Sequence, residues 1–93
     1  MTTVGWKPRR SRYTGDLLDR RTTVGLESTP VRLVAEKVPG GYALHVYRGT
    51  VVKAPEGYHH FATLALLKEW VQTIVDETAG RDPFPRLVMG PRS

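Results

Sequence analysis

Apolar residues recur along residues 31–80 with two different periods, and each period predicts a different kind of element. Leu64, Leu67, Val71, Ile74, Val75 and Thr78 stand three and four apart with Trp70 beside them, while Lys68, Glu69, Gln72, Thr73, Asp76 and Glu77 fall elsewhere. That spacing is the stripe of an amphipathic helix. Thr63 is a candidate N-cap, Gly80 sits where a glycine releases a last turn, and Pro83 prevents resumption, so the helix is expected over residues 64–78. Burying a large aliphatic side chain contributes about 1.5–3 kcal/mol, whereas ordering one backbone residue costs about 1–2 kcal/mol. The stripe therefore cannot hold the helix alone and needs a sheet to pack on.

The residues before the helix supply one. Val31–Val38, Tyr42–Arg48 and Thr50–Ala54 are rich in β-branched and aromatic residues and are separated by Pro39-Gly40-Gly41 and by Arg48-Gly49. Connections this short leave room only for hairpins, so an antiparallel meander of three strands is expected. With a four-residue first turn and Tyr47 opposite Thr50, one face collects Val31, Leu33, Ala35, Leu44, Val46 and Val51, which the helix covers. The other face then carries Arg32, Val34, Glu36, Ala43, His45, Tyr47 and Val52, more apolar than a solvated sheet surface usually is. A flanking segment, a second copy or a ligand is expected against it. The fold class is α+β: a three-stranded antiparallel meander packed on one C-terminal helix.

Outside this β-β-β-α core of residues 31–80, the pattern weakens. Residues 1–30 read as a basic arm, interrupted by Gly5 and Pro8, in which Val24 and Leu26 suit a short extra strand and residues 16–21 a single helical turn. Thr-Thr-Val-Gly occurs at residues 2–5 and again at 22–25, too short a match to count as a repeat. Residues 81–93 contain Pro83, Pro85 and Pro91 and are expected to be extended, with Phe84, Leu87, Val88 and Met89 as apolar contacts.

Charge sharpens the distinction between arm and core. The net charge is +5, of which +4 lies within residues 1–21, where Lys7, Arg9, Arg10, Arg12, Arg20 and Arg21 face Asp16 and Asp19. The chain has no cysteine, so neither a disulfide framework nor a thiolate zinc site is available, in keeping with a reducing compartment. No apolar run approaches the roughly 20 residues that span a bilayer, and the N-terminus lacks the apolar region of a secretory signal. A cytoplasmic protein, or one carried in a virion, is expected.

Catalytic chemistry finds no foothold in the motifs. There is no cysteine nucleophile, no Gly-x-Ser-x-Gly elbow, no Walker-type glycine loop and no Gly-x-Gly-x-x-Gly fingerprint. His59 and His60 invite a metal, but neighbours in extended chain point to opposite faces, and His45 is the one remaining histidine. Neither an enzyme, a metal site nor a cofactor is expected.

The run Gly41-Tyr42-Ala43-Leu44-His45-Val46-Tyr47, followed by Phe61-Ala62-Thr63 and then Leu67 and Trp70, resembles the pattern of arm-type integrase N-terminal domains, which are similar to plant AP2 domains. It also resembles short proteins of actinobacterial phages. The likeness covers about forty residues, with Leu67 where the family usually has alanine. It implies three strands and a helix whose open sheet face meets DNA, and on this chain that role would fall to Arg32, His45 and Tyr47.

Two functions follow as expectations. In the first, a small non-enzymatic accessory protein binds DNA or RNA through Lys7, Arg9, Arg10 and Arg12 of the arm and Arg32, His45 and Tyr47 of the sheet, since cations gripping phosphates release condensed counterions. Trp6 and Tyr13 could stack on bases. In the second, the chain is a protein-interaction or assembly module, and Trp6, Tyr13, Phe84, Leu87 and Met89 dock on a larger complex or on another copy.

Overall fold

Antiparallel pairing runs much further along the chain than the three-strand pattern implies. The computed structural model describes residues 4–10, 12–17, 31–48, 54–78, 81 and 83–90, with Arg12, Thr14, Asp16 and Leu17 described by backbone alone. Five strands, β1 (Trp6–Arg9), β2 (Arg12–Leu17), β3 (Val31–Val38), β4 (Gly41–Arg48) and β5 (Gly57–Phe61), form one sheet in sequence order. Two helices follow, α1 (Leu64–Glu77) and α2 (Phe84–Met89).

The centre of the sheet is as the alternation requires. Residues Val38 and Gly41 close the β3–β4 turn, with Pro39 and Gly40 between them and Gly40 at φ +86°. A proline followed by a glycine of positive φ is the chemistry of a type II turn. From there Ala35 pairs with Leu44 and Leu33 with Val46, which sets Val31, Leu33, Ala35, Leu44 and Val46 on one buried face. Leu67, Val71, Ile74 and Val75 of α1 pack onto that face in a single cluster. Helix α1 starts where the cap residue stands: the Leu66 amide donates to Thr63 Oγ1 at 3.2 Å. At the other end Thr78 is the C-cap, its hydroxyl donating to the Ile74 carbonyl at 2.8 Å.

Three expectations are corrected. The neighbour of β4 is Gly57–Phe61, starting from Val46 opposite Gly57, and Ala54 lies outside any strand; residues 50–53 lie outside the described residues. Tyr58-His59-His60-Phe61 is polar in composition, yet it alternates correctly for a strand with Gly57 and Phe61 buried and Tyr58 and His60 exposed. Second, Trp6–Arg9 and Arg12–Leu17 of the basic arm are paired into the sheet. They form the β1–β2 hairpin, and β2 pairs with β3 from Arg12 opposite Glu36 to Leu17 opposite Val31. Asp16 and Leu17 thus belong to a strand and not to a helical turn, while residues 18–30, including Val24 and Leu26, lie outside the described residues.

Glycine explains how so polar a segment packs. A side-chain carbon at Gly15 would stand 2.9 Å from Val4 Cγ1 and 3.2 Å from the Trp6 ring, so the bare glycine is what lets both residues fold over β2. Val4 is buried, and its amide donates to Gln72 Oε1 of α1 at 3.3 Å. Lys68 Nζ lies 5.2 Å from the centre of the Tyr13 ring. Lys68 and Gln72, which lie outside the apolar stripe of the helix, are therefore contacts to the N-terminal segment.

The third correction concerns the tail, which is not extended between Phe84 and Met89 but forms α2. Pro83 and Pro85 sit at its start, where a missing amide donor breaks no helical bond. Gly90 ends it at φ +76°. Phe84 and Leu87 are buried and join the cluster between sheet and α1. Pro91 lies outside the described residues. No described helix is long and apolar enough to cross a membrane.

Candidate nucleic-acid interface

Cross-strand partners in an antiparallel sheet share a face, so the register assigns each residue of the outer surface. One row across the sheet reads Lys7, Thr14, Val34, His45 and Tyr58. The next reads Arg9, Arg12, Glu36, Ala43 and His60, and a third Asp16, Arg32 and Tyr47. Lys7 and Arg9 of the former arm therefore occupy the same face as Arg32, His45 and Tyr47. Arg12 holds the position between Arg9 and Glu36 in that register, and Arg10 is exposed at the hairpin turn with φ +56°.

Within this face the polar groups are arranged around His45. Its Nε2 lies 3.6 Å from Glu36 Oε1, and its ring meets Tyr58 edge-on with centroids 5.1 Å apart. The His45 Nδ1 atom is turned away from solvent and finds no hydrogen-bond partner among the described residues. The Arg32 guanidinium stands 6.0 Å from the Tyr47 ring centre. Val34 and Ala43 are buried in the middle of the face, so its apolar part is enclosed while its rim is wet and charged. Lys7, Arg9 and Arg10 form no ion pair among the described residues.

The expected aromatic contacts fall elsewhere. Trp6 and Tyr13 point to the inner face and pack partly buried against the core, on the opposite side of the sheet from Lys7 and Arg9. They are not positioned to stack beside those cations. Phe84 and Leu87 are 5% and 0% exposed within the chain's own core, which removes them as docking residues, whereas Met89 is 79% exposed. The aromatic residue that does share the cationic face, besides Tyr47, is Tyr58, 58% exposed. The sequence pattern places Tyr58 and His60 in no strand, and their alternating burial from Gly57 to Phe61 emerges only once β5 pairs with β4.

The other two histidines differ in role. His60 is exposed, and His59 faces inward, where its ring meets Trp70 edge-on at 5.6 Å and its Nε2 contacts Leu87. Among the described residues no cluster of three His, Asp or Glu could hold a metal ion. Searches of protein-family models, curated proteins and solved structures found no match.

Proposed function

We propose that this chain is a small non-enzymatic accessory protein that binds nucleic acid across the outer face of its sheet. The observation that carries the reading is the register, which brings Lys7 and Arg9 onto the surface that also holds Arg32, His45, Tyr47 and Tyr58. Cations along one side and aromatic rings along the other suit a polyanion that also offers flat bases. The net charge of +5 favours encounter with such a ligand. The resemblance to integrase-type domains, whose open sheet face meets DNA, points the same way.

The test is a salt titration of binding to DNA, RNA and heparin by fluorescence anisotropy. Deleting the arm is the wrong experiment, because it removes Val4, Trp6 and Tyr13 from the core along with the cations. The double substitution Lys7→Ala, Arg9→Ala alters exposed side chains and leaves the strand in place. It is expected to weaken binding at low salt and to flatten the plot of log K against log salt by about 1.5, since each lost phosphate contact removes about 0.7–0.9 from the slope. An unchanged slope, or no binding of any nucleic acid at low salt, rules the reading out.

A further inference from the structure

Resting on that reading, we infer that the ligand is a single strand, with bases stacked on Tyr58 and Tyr47 and the sugar-phosphate chain crossing the sheet toward Lys7 and Arg9. Width is the first reason. Strands lie about 4.8 Å apart, so five of them span about 19 Å between the outer two. The major groove of a DNA duplex is about 12 Å wide and admits a helix or a two-stranded ribbon. Addition of the β1–β2 hairpin to the sheet makes the surface too broad to enter the groove flat.

The second reason is where the aromatic surface lies. Tyr58 is 58% exposed on the face, and its ring is steadied edge-on by His45. Tyr47 lies two residues beyond His45 on β4, which makes it a diagonal neighbour of Tyr58, about 7–8 Å away. The Arg32 guanidinium lies over the Tyr47 ring, 6.0 Å from its centre, and is itself a flat surface on which a base stacks. Bases paired inside a duplex keep their flat surfaces covered by the next pair, whereas an unpaired strand can turn them onto these rings. The row from Tyr58 through His45 and Val34 then leads to Lys7 at the far edge.

The experiment compares the whole protein's affinity for a short oligouridine, an oligothymidine of the same length and a mixed-sequence duplex at one fixed low salt concentration. Tighter binding of either single strand than of the duplex is expected. Tyr58→Ala should lower single-strand affinity about 5- to 150-fold, and Tyr58→Phe should retain it because stacking needs no hydroxyl. Because Tyr58 is exposed, circular dichroism of Y58A is expected to match that of the parent. Tighter binding of the duplex, or a Y58A variant that binds single strands unchanged, overturns the single-strand assignment while leaving nucleic-acid binding in place. Failure to bind any of the three probes overturns both.

Discussion

His59 Nε2 lies 2.6 Å from the carbonyl oxygen of Leu87, joining the last strand of the sheet to the last helix of the chain. A carbonyl only accepts, so the imidazole nitrogen carries the proton and donates. Gly57, two residues earlier on the same inward face, brings the strand so close that a side-chain carbon there would stand 3.0 Å from Val88 Cα. Helix α2 is thereby seated on β5 by a polar contact and by close approach, although a six-residue helix has little stability of its own.

Replacing His59 with alanine leaves the Leu87 carbonyl unpaired and vacates the space against Trp70. His59→Ala is expected to destabilise the protein by about 1–3 kcal/mol. Urea unfolding of the variant checks it, and a midpoint equal to that of the parent would show that the contact contributes nothing.

Gly90 terminates α2 at φ +76°, and a Cβ there would stand 2.5 Å from the His59 ring. Gly90→Ala therefore combines a backbone conformation that is essentially restricted to glycine, costing about 1–3 kcal/mol, with a clash against the residue that seats the helix. The expected signature is a loss of amide-exchange protection concentrated in α2 and β5. A uniform loss over the whole sheet would indicate a different mechanism.

Leu87 is fully buried, so its truncation leaves a cavity that the surrounding sheet and helices only partly fill. Leu87→Ala should cost about 2–5 kcal/mol, a large part of the 5–15 kcal/mol, in round figures, typical of a whole domain. Thermal and urea unfolding measure this directly. Were the tail a free docking peptide, the same substitution would leave stability unchanged.

Two exposed polar contacts at α1 should behave differently from one another. Arg86 and Glu77 approach to 2.7 Å, but both side chains are 50% exposed, and Arg86→Ala is expected to change stability by no more than about 0.5 kcal/mol. Thr63 caps the Leu66 amide, which the helix cannot satisfy internally, and Thr63→Ala is expected to cost about 0.5–2 kcal/mol. The difference between their unfolding midpoints at fixed slope tests the contrast, and a larger loss from Arg86→Ala would contradict it.

What the sequence determined by itself is local. The three- and four-residue spacing from Leu64 to Val75, the Thr63 cap and the alternation through β3 and β4 are set by periodicities of the backbone, so they could be read without knowing what lies beside them. Tertiary structure decided the rest. Residues 6–17 carry too few apolar side chains to signal a hairpin, and their place in the sheet comes from the open edge of β3 and from the space above Gly15. Gly57–Phe61 and Phe84–Met89 likewise become a strand and a helix where β4 and the core offer partners. Pairing along the sheet, a property of distant segments together, is also what gathers Lys7, Arg9, Arg32, Tyr47 and Tyr58 on one surface; no stretch of sequence holds that arrangement alone.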